Sequence, residues 1–544
     1  MTDLPFIDTI DWGRLPEVLS FDRSHPMIFS SGLFLFCALF FLPIYMLLRR
    51  TTTLRIIYVA LFSLFFYYES SGEYVLILLF AATMDYFIGR AMGQSEDPHL
   101  RKRLLITSLV VNLGMLSYFK YFYFLLDLGQ ELLALAGIAT PPAIPLEARD
   151  YFIPAGISFY TFQSVAYLVD AYNAKVEPQR NFARHLLFVT WFPQMIQGPI
   201  NRYDQLGPQL FAPHRWSEVD VSRALVTVGY GMVKKFVMAD LLVGIITRLL
   251  SSVDAQTPGS LIVLAILMYS AQQYGDFSGG IDMVEGVSEL FGVHMAPNFR
   301  RPYFSTSLAD FWRRWHISLG QWMRDYVFYP FALTAPMKRL GKWSSARLGR
   351  HVSRTLPACV ANVLVFLIVG IWHGADLHFV VWGLYNGLVI ALSDLLRPAF
   401  DRLVGALRVD REGRPWHVFA VLRTFAVVNV GWYFDRIEDF GTSVLCLKST
   451  LLNFDPAGLG PSLAALGLKP GERMQIMLAF VAIVVVFAQS LREERRGHAT
   501  QSCVAEGFLA RPVLVRGATV VTLGLLVLSS FVFNVGGGFM YANY

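Results

Sequence analysis

The sequence predicts an all-α, polytopic membrane protein, and three observations carry that prediction. Mean hydropathy is +0.47, with 55% of the 544 residues apolar and 16% charged, more apolar surface than a soluble core of this size can hide. Apolar runs recur at lengths that cross ~30 Å of hydrocarbon as helix, roughly 17 to 25 residues each. The basic residues cluster in alternate loops between these runs, as short cytoplasmic loops require.

The runs fall at residues 27–48, 73–89, 104–128, 151–172, 356–372, 377–396, 474–490 and 513–534. Before the first, acids (Asp3, Asp8, Asp11, Glu17, Asp22) outnumber bases (Arg14, Arg23), and no small-residue cleavage site follows, so this run reads as a retained span. Arg49, Arg50 and Arg55 follow it, and Arg90, Arg101, Lys102, Arg103, Lys175, Arg180 and Arg184 follow later spans and point inward. Glu69, Glu73, Glu131, Glu147 and Asp150 sit in the loops that alternation leaves outside. Continued, this pattern puts the basic stretches 338–354, 397–414 and 492–496 inside. It predicts about twelve crossings with both termini outside. The net charge of +6 matters less than this placement. No compositional break interrupts the chain, so residues 1–544 are expected to form one membrane domain.

Segments 191–203 and 298–329 are too polar, or too interrupted by Pro and Gly, to be plain spans. Non-helical backbone survives at membrane depth only where protein or a water-filled cavity covers it, so re-entrant and interfacial elements are expected there. In residues 307–326, Leu308, Phe311, Trp312, Trp315, Leu319, Trp322, Met323 and Tyr326 recur at helical spacing. Asp310, Arg313, Arg314, Gln321, Arg324 and Asp325 take the other face. This predicts one interfacial helix on the cytoplasmic surface, with His316 at the edge of the apolar stripe and half-covered. His316 reads as an imidazole packed among tryptophans, and Arg313, Arg314 and Arg324 as lipid-headgroup contacts or as a patch for a phosphate-rich donor.

His373 ends an apolar run at a hinge with Gly374. Two readings stand on spacing alone: a histidine capping a helix end at the headgroup layer, or an imidazole held at membrane depth to take a proton from a hydroxyl. Asp276 and Asp282 close an apolar run, as helix caps or as functional carboxylates, and Lys234 and Lys235 are expected to snorkel to the surface. Cys37, Cys359, Cys446 and Cys503 form no CxxC, and neither HxxxH nor HExxH occurs, so no metal site is expected. The absence of a GxSxG elbow, a P-loop and a Rossmann fingerprint in context argues against a serine hydrolase, an ATPase and a dinucleotide enzyme. A secondary transporter or flippase is the competing class, but it predicts two related halves with broken helices, and no such halves are visible.

In order along the chain stand GISFYTFQSVAYLVDAY (156–172), WFPQMIQGPINRYDQLGPQL (191–210), GMVKKFVMAD (231–240), YGDFSGGIDM (274–283), NFRRPYFSTSLADFWRRWHISLGQWMRDY (298–326) and GIWHGADLHFVVWG (370–383). This set resembles the bacterial membrane-bound O-acyltransferase family, nearest its alginate O-acetyltransferase branch, over a core of about residues 118–387. The resemblance implies a ring of tilted helices around a thinned centre, with a funnel on each face. His373 matches the family's catalytic histidine and His316 its second functional position. Arg313, Arg314, Trp312, Trp372 and Asp276 are the expected substrate-binding residues. Two departures, FALTAPMKR at 331–339 where a Gly-Gly turn is common and Gly280-Ile281 where Tyr-Ser is common, touch neither histidine.

The implied reaction moves an acetyl group from a cytosolic thioester, acetyl-CoA, toward an exported polysaccharide such as alginate or cellulose, with no bound cofactor. D-alanyl transfer to teichoic acid and peptidoglycan O-acetylation are the alternatives within the family. The implied setting is the bacterial inner membrane, with a periplasmic SGNH-type acetyltransferase as partner and no role for nucleic acid. The aromatic tail GGGFMYANY (536–544) is a candidate docking element for that partner. On the expected topology His373 lies toward the outer side and His316 at the cytosolic face, at different ends of one path.

Overall fold

The computed structural model describes residues 26–29, 31–138, 153–251, 253–374, 376–497 and 503–533, with Ile144 and scattered positions before residue 26. Among the described residues, six helices are long and apolar enough to cross a membrane: Thr52–Gln94, Pro98–Leu135, Ala335–His373, Leu377–Leu395, Arg414–Arg436 and Pro470–Arg496. Shorter apolar helices are Gly32–Leu48, Phe440–Leu452 and Val513–Leu528. This is a helical membrane protein. The candidate docking tail, residues 536–544, lies outside the described residues.

Some apolar stretches are covered by protein. Helix Ile157–Tyr172, from the run at 151–172, is buried on nearly every face. Gly259–Leu290 is likewise buried along most of its length. By contrast Pro98–Leu135 opens with Asp97 accepting from the His99 amide at 2.8 Å and Pro98 in the first turn. It then leaves Ile106, Val110, Tyr118, Phe122 and Leu125 exposed, as a lipid-facing helix does.

Polar side chains tie these helices together inside the apolar mass. Asp85 accepts from Ser108 Oγ at 2.8 Å and Asn112 Nδ2 at 2.9 Å, linking Val75–Gln94 to Pro98–Leu135. Arg55, expected in a cytoplasmic loop, is instead buried within helix Thr52–Ser71 and donates to the Leu210 and Ala212 carbonyls at 3.0 and 2.6 Å. Lys234 and Lys235 do not snorkel. They are 0% and 1% exposed in a π-helical turn, Val233–Asp240, packed on Gly259–Leu290. Gly231 and Gly279 make that contact possible, because a Cβ on either would collide with the backbone of the other helix. Burial of these two lysines is offset by carboxylates, and Asp276 and Asp282 supply them.

Helices Ala335–His373 and Leu377–Leu395 pack as an antiparallel pair. Ala335–His373 is kinked at Gly349 (φ 84°), inside the basic stretch 338–354 that precedes the apolar part ending on His373. Gly370 and Gly383 lie at the crossing, where a Cβ would run into the Phe379 and Phe366 carbonyls respectively. Small residues let the two backbones close up, and this closeness places His373 against the side chains of the second helix.

Candidate active site

His373 is the last residue of its helix, and the chain leaves through an extended Gly374. Its ring is 4% exposed and meets Trp372 at 5.1 Å, Trp382 at 4.8 Å and Phe379 at 6.1 Å, the last one stacked. An aromatic cage thus holds an imidazole where an apolar helix stops. His378 is occupied elsewhere, bonded through Nδ1 to the Phe434 carbonyl at 2.8 Å.

The expected single helix over residues 307–326 is broken in two, Leu308–Trp312 and Ile317–Met323. Between them Phe299 and Trp315 form an antiparallel bridge, with Arg300 N donating to Arg314 O at 2.9 Å and Ile317 N to Asn298 O at 3.0 Å. The chain turns at His316, which adopts φ 46°, ψ 53°. A left-handed residue other than glycine is strained and persists only where its surroundings impose it. Asn298 Oδ1 does so by accepting from His316 Nδ1 at 3.2 Å, Ser318 N at 3.1 Å and Ser318 Oγ at 2.8 Å. The tryptophans of the stripe therefore turn into protein, and His316 is not half-covered but 3% exposed, with Phe277 edge-on at 4.8 Å. Burial lowers its basicity to about 3, so the ring is neutral at physiological pH.

Both histidines lie against one indole. The Trp372 ring is 6.0 Å from the His316 ring and 5.1 Å from that of His373. This corrects the expectation that the two histidines occupy different ends of a path: they belong to one site. Trp372 also stacks on Phe162 at 5.9 Å. Trp312 borders the same cluster, with its ring 5.5 Å from Trp382 and its Nε1 donating to Asn386 Oδ1 at 3.0 Å.

The charged residues of the expected binding set are held in ion pairs. Asp276 is mid-helix, not a cap, and its carboxylate is 2.5 Å from Lys235, which also holds Asp240 at 2.8 Å. Asp282 pairs with Lys234 at 2.6 Å. Arg314 is engaged by Asp310 at 3.1 Å and Glu494 at 2.9 Å. Arg313 contacts Asp310 at 3.6 Å while its side chain stays 68% exposed, so of the two it is the one that faces outward. Among the described residues no cluster of three or more His, Cys, Asp or Glu could hold a metal ion.

Three residues of this region escaped the sequence reading. Asn298 carried no signal beyond its type, and Glu494 lies far along the chain in what read as a basic loop. Lys120 did carry one, as a charge in the middle of the 104–128 apolar run. Its Nζ donates to the Trp372 carbonyl oxygen and lies 5.2 Å from the Trp372 ring centroid.

The family model for MBOAT, the membrane-bound O-acyltransferase family, matches residues 158–425, which include both histidines. The chain is 31% identical over 419 residues to the "Probable alginate O-acetylase AlgI" of Pseudomonas aeruginosa, covering 76% of this chain and 72% of the relative. It is 30% identical over 470 residues to a peptidoglycan O-acetyltransferase of Helicobacter pylori, covering 80% and 81%. It is 28% identical over 287 residues to a teichoic acid D-alanyltransferase of Bacillus subtilis, covering 51% and 67%. With two buried histidines around one indole inside the matched region, and relatives of this identity over most of its length, the chain belongs to the membrane-bound O-acyltransferase family and is an O-acyltransferase.

Proposed function

We propose that this O-acyltransferase takes an acetyl group from a cytosolic thioester, acetyl-CoA, and passes it across the membrane for O-acetylation of an exported polysaccharide. The observation that carries this reading is the pairing of His373 with His316 on Trp372, at the end of an apolar helix. His373 accepts the proton of the attacking hydroxyl, a step worth about 10² to 10⁴ in rate when the base is well placed. His316, neutral and fixed by Asn298, keeps the Trp372 wall in register beside it. Trp312 and Trp372 shape the apolar lining through which a small acyl group passes, and Arg313, the outward-facing arginine, meets the phosphates of the donor.

The alginate-type reading is supported by the relatives at 29–32% identity that cover 76% of this chain, against 51% for the D-alanyltransferase of Bacillus subtilis. The peptidoglycan O-acetyltransferase relative, at 30% identity over 80% of the chain, keeps a peptidoglycan acceptor as the second reading. In this scheme the protein sits in a bacterial inner membrane with both termini periplasmic, and a periplasmic SGNH-type acetyltransferase receives the acetyl group. The deciding experiment supplies purified protein in vesicles with acetyl-CoA or with a D-alanyl carrier protein and follows thiol release. Turnover of acetyl-CoA alone supports the proposal, and turnover of the D-alanyl carrier alone rejects it. Transfer to alginate or to peptidoglycan fragments in the presence of the partner then chooses between acceptors.

A further inference from the structure

We propose that Lys120 is a catalytic residue that offers its N–H groups to the carbonyl oxygen of the acyl group in transit; this rests on the acyl transfer proposed above. Lys120 belongs to Pro98–Leu135, one of the helices apolar enough to cross the membrane, and is 9% exposed. A charged side chain at such a position is costly and is kept where it serves a partner or a reaction. Among the described residues it meets the Trp372 carbonyl and the faces of Trp372 and Tyr121 at 5.2 and 5.9 Å, none of them an acid. One N–H goes to Trp372, and a lysine has more than one to give.

The location of that contact is what distinguishes this lysine from the other buried ones. Lys234 and Lys235 are paired with carboxylates at 2.5 to 2.8 Å. Lys120 instead reaches the peptide that joins Trp372 to His373, so its amine is carried to the place where the reacting groups must meet. Acyl transfer needs a donor for negative charge at that place. The acceptor oxygen bonds to the thioester carbon as its proton passes to the His373 imidazole, and the carbonyl electron pair moves onto oxygen. That oxyanion is the group which the remaining N–H bonds of Lys120 stabilise. When the carbonyl re-forms, the C–S bond breaks, and the departing thiolate takes the proton back from His373.

The experiment compares full-length wild type with Lys120→Met and Lys120→Arg in vesicles, measuring initial rates of acetyl transfer from acetyl-CoA and apparent melting temperature in detergent. Loss of one oxyanion donor is typically worth about 10² to 10³ in kcat. Lys120→Met is expected to lose that much with KM changed less than about threefold, while Lys120→Arg, which keeps N–H donors, retains at least about ten times the Met rate. A lysine that only tethers the helix end gives a different pattern: Met and Arg variants equally impaired, or a lowered melting temperature with kcat preserved. Either result, or a wild-type kcat for Lys120→Met, overturns the proposal while leaving the acetyl transfer itself in place. Should Lys120→Met not fold, Lys120→Gln is judged by the same criteria, and failure of both to fold while Lys120→Arg folds assigns the lysine to structure and overturns the proposal. A wild-type protein that transfers no acetyl group overturns both readings together.

Discussion

Glu494 accepts from Arg314 at 2.9 Å, joining the last turn of Pro470–Arg496 to the segment that ends at His316. The other oxygen of the same carboxylate accepts from Arg301 Nε at 2.7 Å. Arg301 and Arg314 lie on the two sides of the Phe299–Trp315 bridge, so one carboxylate from residue 494, beyond the matched region 158–425, closes the loop that positions the histidine.

Glu494→Gln keeps the size of the side chain and removes its charge. Charge-assisted bonds of this kind contribute about 1.5 to 3 kcal/mol where they are shielded from water, and less at a partly exposed site. The variant is expected to melt several degrees lower and to turn over several-fold more slowly, while a matching change at Arg324, on the exposed face, does neither. Thermal unfolding in detergent together with initial rates checks this; an unaltered melting temperature would remove the clamp from the account.

Asp276 separates structure from substrate binding. Asp276→Asn removes one carboxylate from Lys235 and leaves its pair with Asp240 in place. Weakening a buried pair in this way destabilises strongly, by up to about 3 to 5 kcal/mol when the partner is left alone. The expected outcome is a lower melting temperature with the KM for the acyl donor unchanged in the protein that folds. A raised KM at normal stability would return Asp276 to the binding set.

Acid should act on the fold through His316. The folded ring stays neutral down to about pH 3, whereas in the unfolded chain it takes a proton near pH 6.5. Between those values the unfolded state binds more protons, so stability is lost as pH falls from about 6.5 toward 3. His316→Asn suits the left-handed backbone and removes this titration. Melting temperature should therefore drop less steeply between pH 7 and 4.5 in the variant than in wild type, and equal slopes would mean that the folded ring is protonated.

The sequence made several of the membrane-spanning helices legible, though its apolar runs missed Arg414–Arg436 and the first half of Thr52–Gln94. The run at 104–128 lies inside Pro98–Leu135, and the runs at 356–372 and 377–396 meet at the hinge that carries His373. What it hid depends on residues distant in the chain. A helical stripe over 307–326 says which side chains are apolar, but only Asn298 and Phe299 across the bridge explain why the helix breaks at His316. Likewise Lys234 and Lys235 look like surface lysines until Asp276 and Asp282, some forty residues on, are packed against them. Periodicity also cannot tell a tryptophan facing lipid from one facing a histidine. That is why the two histidines, read as far apart, are found on one indole.

The most direct test of the account is the initial rate of acetyl transfer from acetyl-CoA by purified His373→Ala beside wild type, with insertion and melting temperature matched. Loss of the base should lower the rate by about 10² to 10⁴ without changing the folded yield. A wild-type rate from that variant would contradict the assignment of His373 as the base of the reaction.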